Sequence, residues 1–338
     1  MTDYFRPLVQ IGPARPDAAV PLAGGWGWFT HAEVLSRSAS SRVVPAANIP
    51  ASVLARLTAA RTEIASLSLD RPRIMGILNT TPDSFSDGGQ HAAVPDAVRA
   101  GQAMVTAGAD ILDIGGESTR PGADFVPVSE EITRTAPVIA ALRGAGLRTP
   151  ISIDTRKSAV AEAAVRAGAN LVNDVSGFTF DPALGPLCQT LGLPVCVMHA
   201  QGDPATMHLD PRYDNVLLDV YDALERQIAV LEASGIPRSA ILADPGIGFG
   251  KTQEHNLALL ARLSLFHALG TPILLGVSRK RFIGTIGNAP QAQDRAPGSI
   301  AVALAGLGQG VQMIRVHDVD DTRQAVALWH AAYFGSIL

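Results

Sequence analysis

Eight short apolar runs that each end in a polar or charged residue, with helical spacing between most of them, predict an α/β chain folded as a TIM (β/α)8 barrel with an N-terminal extension. The runs lie at residues 73–79, 110–116, 150–154, 171–174, 195–199, 241–244, 273–278 and 313–317. A parallel strand is covered on both faces, so it reads as a nearly continuous hydrophobic stretch. The 338 residues suit a barrel of roughly 250 residues with something added. In such a barrel the carboxyl ends of the strands converge on one mouth, so Asn79, Asp154, Asn173, Asp244, Lys280, Arg315 and His317 should face one another.

Residues 1–71 read as an appended segment, marked by Pro7, Pro13, Pro16 and Pro21, by Trp26 and Trp28, and by one helix-like stretch near 52–69. Two tryptophans could stack on a ligand, but a small hydrophobic cluster docked on the barrel uses their area better. From residue 72 to 338 the alternation is regular, with helical patterns at 95–107, 129–144, 158–167, 182–191, 213–233, 254–268, 298–308 and 321–333. Gly168 and Gly192 follow their helices where a left-handed cap is wanted. The connections 80–94 and 117–127 follow strands and are long and rich in Gly, Pro, Ser and Asp, which places them at the mouth as candidate lids.

Composition excludes several classes. Hydrophobic residues make up 47% and charged ones 17%, which argues for a large core. A net charge of −4 gives no basic groove for nucleic acid. Cys188 and Cys196 follow no metal spacing and read as small core residues, compatible with a reducing cytoplasm. The first residues, with Asp3 and Arg6, lack the apolar segment of a signal peptide. No window approaches a membrane span, so a soluble protein is expected, and with the free thiols a cytoplasmic one.

Residues 244–252, Asp-Pro-Gly-Ile-Gly-Phe-Gly-Lys-Thr, invite a nucleotide-binding reading and fail it. Pro245 stands where the phosphate loop needs glycine, and Lys251 takes the last glycine position of the dinucleotide fingerprint. What remains is a carboxylate at a strand end, then a glycine-rich turn that lets a flat ligand approach and presents Phe249 beside it. Asp154, Asn173 and Asp244 end three different strands. A carboxylate accepts two parallel hydrogen bonds from an N–H and an adjacent amino group, and an amide offers both donor and acceptor, a set that suits an aminopyrimidinone edge. Any one of them could equally cap a helix or shape a turn, but three at equivalent strand ends favour a pocket.

A second set is cationic. Ser278-Arg279-Lys280-Arg281, Arg315, His317 and Arg120 come from separate loops and indicate a phosphate-like anion at the mouth. Arg315 and His317 alternate with Val316 and point to the same side, inward if Val316 packs against the helices. Asp113 lies inside a strand, is costly to bury alone, and should orient a neighbouring base or amide.

The strings themselves resemble a known family. Gly-Ile-Leu-Asn-Thr-Thr-Pro-Asp-Ser-Phe-Ser-Asp-Gly-Gly at 76–89 and Ile-Leu-Asp-Ile-Gly-Gly-Glu-Ser-Thr-Arg-Pro-Gly-Ala at 111–123 closely resemble the two signature segments of dihydropteroate synthases. The resemblance continues in family order through 152–155, 172–177, 197–199, 244–251, 276–280 and 315–319, and covers about residues 72–338. Thr80 stands where many members carry valine, and the first seventy residues have no counterpart in the typical bacterial core.

The resemblance implies condensation of 6-hydroxymethyl-7,8-dihydropterin diphosphate with 4-aminobenzoate. Carried over by position, Asp154, Asn173, Asp244 and Lys280 would hold the pterin, with Met198, Phe249 and Arg315 against its ring. Asn79, Thr119, Arg120, Arg315 and His317 would surround the diphosphate, with Asn79 as the protein ligand of Mg2+. Phe85, Pro121, Phe249 and Ser278 would frame the aminobenzoate. Asp154, Lys280, Arg120, Arg315 and His317 would carry the catalysis, and a homodimer is expected because family members are commonly dimers. The alternatives are a pterin-dependent methyltransferase, which would have no use for the 81–89 loop, and a binding-only paralogue.

Overall fold

A computed structural model describes residues 3–80, 90–118, 125–202, 207 and 209–337. The expected roles of Phe85, Thr119, Arg120 and Pro121 therefore lie outside the described residues.

The extension contributes β1 (Tyr4–Pro7), β2 (Val20–Pro21), β3 (Trp28–Phe29), β4 (His31–Leu35), β5 (Arg42–Pro45) and α1 (Ala51–Thr58). β1, β4 and β5 form an antiparallel sheet in the order β1-β4-β5, and β2 pairs with β3. The barrel strands follow as β6 (Arg73–Asn79), β7 (Ile111–Gly115), β8 (Ile151–Asp154), β9 (Leu171–Asp174), β10 (Val195–Met198), β11 (Ile241–Asp244), β12 (Leu274–Leu275) and β13 (Met313–Val316). They hydrogen-bond in the order β11-β10-β9-β8-β7-β6-β13-β12, all parallel. A bridge between Ala243 and Ile273, with Ala243 N–H donating to Pro272 O at 2.9 Å, closes the ring. The helices between and after them are α2 (Gln90–Thr106), α3 (Val128–Gly144), α4 (Ser158–Ala167), α5 (Leu184–Leu191), α6 (Val216–Ala233), α7 (Gln253–Leu260), α8 (Arg281–Ile286), α9 (Ala296–Gly308) and α10 (Val319–Phe334).

Four elements depart from expectation. The 254–268 pattern breaks into α7 and a 3-10 segment at Leu263–Leu269, and α8 occupies a stretch read as loop. β12 is confined to two residues, and the chain turns after it at Arg279, whose φ is +58°. The helix-like stretch 52–69 is helical only to Thr58. Left-handed turns at Ala65 and Ser66 then bring Ile64 and Leu69 under the barrel. There they pack against the bottom layer of inward residues, Met75, Ile111, Leu171, Cys196, Leu242, Leu274 and Met313. The apolar spacing was a plug's, not a helix's. Arg73 ties the plug to the strands, its Nε donating to Ser68 O at 2.6 Å and its Nη1 to Asp110 at 2.9 Å.

Burial on alternate faces sets the barrel's geometry. Ile74, Leu78, Ile114, Ile153, Val172, Val197, Ala243 and Val316 join the cluster between strands and helices, so the residues flanking them point inward. Both cysteines are buried and free. Among the described residues no helix is long and apolar enough to cross a membrane.

Trp26 and Trp28 are buried, which leaves neither a face for a ligand. Trp26 Nε1–H donates to Leu307 O at 2.9 Å and its ring meets Trp329 edge-on at 6.4 Å, while Trp28 donates to Gly12 O. Tyr4 and Arg37 both bond to Asp222 on α6, and Ser264 Oγ donates to Pro7 O. At this docking surface His267 is wholly buried, its backbone oxygen accepting from Arg61, its Nε2 beside Gln309 O at 3.0 Å, its Nδ1 without a partner.

Burial, with the nearby Arg61 adding to it and the Gln309 carbonyl opposing it, lowers the His267 pKa from 6.5 to about 3. The unfolded chain thus binds a proton near pH 6.5 that the folded chain refuses, and stability falls as pH drops from 6.5 toward 3. The slope is about 1.4 kcal/mol per pH unit for this one group. Urea titrations at pH 5.5 and 4.5 should show a correspondingly shallower acid loss for His267→Gln than for the wild type. Parallel curves would refute the assignment.

Candidate active site

The inward residues at the carboxyl ends of the strands form one polar cluster. Arg315, from β13, reaches across the barrel: Nε donates to Asp113 Oδ2 on β7 at 2.5 Å and Nη2 to Asp154 Oδ2 on β8 at 2.7 Å. Asp113 Oδ2 also accepts from Asn173 Nδ2 on β9 at 3.1 Å, so the amide oxygen of Asn173 is turned away from Asp113. Asp113 is wholly buried and orients both a guanidinium and an amide, as its costly burial required. Burial lifts the Asp154 pKa above the ordinary carboxylate range; Arg315 opposes the rise and Asp113 adds to it. Burial also works against the charge of Arg315, but Asp113 and Asp154 outweigh it and raise the pKa further.

Asp154 does not cap α4. The Ser158 amide donates instead to Asp181 at 2.7 Å, which frees Asp154 for the cluster. Asp244 combines both readings of its type. Oδ1 accepts from the Gly246 amide at 2.7 Å and shapes the turn, while Oδ2 lies 3.6 Å from where a Cβ on Gly276 would stand, at the seventh strand's end. Burial raises the Asp244 pKa, opposed first by the Gly246 amide and then by Lys280. Lys280 Nζ lies 4.0 Å from the centroid of the Phe249 ring, and its stem crosses Gly248. Met198 ends β10 beside Gly246, 5% exposed.

The basic triplet divides. Arg279 turns away to pair with Asp318, and Arg281 is exposed at the start of α8, so only Lys280 of the three faces Asp244 and Phe249. His317 N–H donates to Ser278 Oγ at 3.1 Å, and its Nδ1 stands 2.9 Å from the same oxygen, joining the seventh and eighth strand ends. Asn79 sits at the tip of β6, its Oδ1 3.8 Å from where a Cβ on Gly115 would stand. Thr80 donates to Gly115 O at 3.1 Å, a bond valine could not make.

Sequence reasoning missed a buried ionic cluster beside the second connection. Lys157, 2% exposed, donates to Glu131 Oε2 and to Val126 O, each at 2.6 Å, and lies 3.1 Å from Glu117. Glu117 also accepts from the Val126 amide at 3.0 Å and pairs with Arg156. Glu131 lies on α3 and Lys157 at the N-cap of α4, too far apart in sequence for a local pattern to reveal. Asp174 was likewise missed. It accepts from the Ser176 and Phe178 amides and builds the turn after β9.

A (β/α)8 barrel whose mouth gathers three carboxylates, an amide, an arginine and a lysine over an aromatic ring is an enzyme scaffold built for a polar heterocycle. Residues 75–317 match the family described as pterin binding enzyme. The dihydropteroate synthase of Escherichia coli (strain K12) is 46% identical over 266 residues, 79% of this chain and 93% of that one. The Xanthomonas albilineans dihydropteroate synthase solved with 4-aminobenzoic acid superimposes with a TM-score of 0.76 at 45% identity, covering 80% of this chain and 97% of that one. The same enzyme in complex with 7,8-dihydropteroate gives a TM-score of 0.72 at 43% identity, covering 79% and 95%. The chain belongs to the pterin-binding enzymes, within the dihydropteroate synthases, which are transferases of folate synthesis.

Removing Asp113 should cost more than its single position suggests. Asp113→Ala leaves Arg315 with one carboxylate and Asn173 unoriented, and a loss of about 3 kcal/mol is expected in chemical denaturation. A loss below about 1 kcal/mol would mean that the Arg315 ion pair contributes no more than a surface one.

Proposed function

We propose that this mouth condenses 6-hydroxymethyl-7,8-dihydropterin diphosphate with 4-aminobenzoate, releasing pyrophosphate, and that the residues divide the work as follows. Asp154, Asn173 and Asp244 read the aminopyrimidinone edge of the pterin, with Lys280, Met198, Phe249 and Arg315 around its ring. Arg315 and His317, together with Thr119 and Arg120, hold the diphosphate. Phe85, Pro121, Phe249 and Ser278 frame the aminobenzoate. The observation that supports this reading is that Asp154, Asn173, Asp244 and Arg315, from four strand ends, and Lys280, from the connection after β12, interact in one polar cluster at the barrel mouth.

Breaking the C–O bond leaves cationic character on the pterin methylene, which the electron-rich ring spreads, and the departing diphosphate takes the electron pair. The aromatic amine, neutral at pH 7, then forms the C–N bond and loses its proton. No strong general base is required, which accounts for a site built of orienting groups.

Mg2+ belongs to the same proposal. Asn79 offers one hard oxygen at the mouth, and a diphosphate would supply more, a set that suits an ion that keeps several waters. Bound there, the ion would neutralise charge on the leaving group. In this reading residues 1–71 serve as scaffold for the barrel, and the buried thiols suit a reducing cytoplasm. A homodimer through α9 and α10 is also proposed. α9 buries Ala303 and Leu307 and exposes Ala301 and Ala305, and α10, which packs against α9, exposes Leu328 at 66%.

Pyrophosphate release from the pterin diphosphate, dependent on 4-aminobenzoate and abolished by a chelator, tests the reaction and the metal together; a methyltransferase would release none. Lys280→Ala and Asp244→Ala should each weaken pterin binding by about tenfold or more, whereas Arg120→Ala should spare it and slow turnover. Equal loss of affinity in all three would undo that division. Sedimentation should find twice the 35.3 kDa chain mass, and Leu328→Arg should return it to one. A wild type that sediments as a single chain would remove the dimer.

A further inference from the structure

The turn that fails both nucleotide spacings ends in a lysine that the reaction scheme leaves without a task. Lys251 is 4% exposed, and its ammonium meets four acceptors: His199 Nδ1 at 2.9 Å, Gly246 O at 2.9 Å, Phe249 O at 3.0 Å and His199 O at 3.2 Å. None is a carboxylate. Three N–H bonds shared among four acceptors leave none for a ligand. An ammonium can only donate, so His199 Nδ1 accepts. Burial and the Lys251 charge keep that ring neutral, with its pKa down at about 3.

The acceptors belong to two pieces of chain. Gly246 and Phe249 lie in the turn, and His199 follows the last residue of β10. The two pieces are pressed together. A Cβ on Gly246 would stand 1.9 Å from His199 O, and one on Gly250 would stand 2.3 Å from Gln201 O. Tyr213 adds a bond from its hydroxyl to Gly250 O at 2.8 Å. The same turn carries the groups that face the cavity: the Gly246 amide braces Asp244, Gly248 supports the Lys280 stem, and Phe249 lies under the Lys280 ammonium.

We propose that Lys251 is a positioning residue for pterin recognition. Its ammonium acts as an internal cross-linking cation that locks the 244–251 backbone onto the end of β10, so that Asp244, Phe249 and Lys280 meet the heterocycle already aligned. It does so without touching the substrate. Preorganisation of this kind raises affinity by removing the cost of ordering a loop on binding. Burial lowers the Lys251 pKa to about 7, with Asp244 opposing the fall and Lys280 adding to it, so the full set of three N–H donors is present below that pH and thins above it.

This inference rests on the pterin reading of the mouth, and its test separates the two. Calorimetry with 6-hydroxymethylpterin measures affinity and the fraction of competent sites, and pyrophosphate release measures the KM for 4-aminobenzoate at saturating pterin diphosphate. Lys251→Met is expected to lose about tenfold in pterin affinity at unchanged stoichiometry, with a smaller rise of about threefold in the aminobenzoate KM, because Phe249 is the one aminobenzoate-framing residue carried by this turn. If Lys251→Met does not fold, His199→Leu, which removes one acceptor, should lose about threefold in the same direction. A folded variant with wild-type pterin affinity, or one that weakens both substrates equally, overturns the proposal. A wild type that ignores the pterin overturns the functional reading instead.

Discussion

The mouth is organised by one half-buried guanidinium. Arg315 spans the barrel interior to Asp113 and Asp154, and Asp113 passes the constraint on to Asn173, so that β13, β7, β8 and β9 share a single set of charge-assisted bonds. In a site taken largely out of water such bonds are strong and their loss costly. Two carboxylates around one cation leave the cluster with acidic character, which suits an N–H-rich heterocycle edge, and burial, with Asp113 adding to it, raises the Asp154 pKa. Arg315 thus does two things at once: it faces the cavity and holds the shape of the groups beside it.

The barrel's other end is closed by chain that precedes it. Ile64 and Leu69 cover the apolar bottom layer, and Arg73 bonds back to Ser68 and across to Asp110. The small sheet outside is tied to α6, α9 and α10 by Tyr4, Arg37 and Trp26. The polar mouth therefore sits on an interior packed from below, and a rigid floor is what allows side chains at strand ends to hold their geometry.

Around the mouth, three buried polar devices serve the connections rather than the cavity. Lys157 with Glu117 and Glu131 fastens the chain near Val126, Asp174 builds the turn after β9, and Lys251 fastens the glycine-rich turn to β10. The two lysines join segments distant in sequence, Asp174 fixes a local turn, and each puts a charge where an apolar contact would have sufficed for burial alone. A charge with fixed acceptors specifies one backbone arrangement where apolar contact tolerates several.

Much of this was readable from the chain alone. Strand alternation is a local property, so the eight runs and their inward faces could be read directly, including Arg315 and His317 on one side of Val316. The chemical types at the strand ends, and the family to which they point, were equally plain. The tertiary structure alone decided the partners. Arg279 looked like a third cation for the mouth and turned to Asp318; residues 59–69 looked helical and became a plug; Lys251 looked like a failed phosphate loop and became a clasp. The physical reason is the same in each case. Periodicity and composition record which way a side chain points, whereas ion pairing and packing depend on which distant segment the fold brings against it.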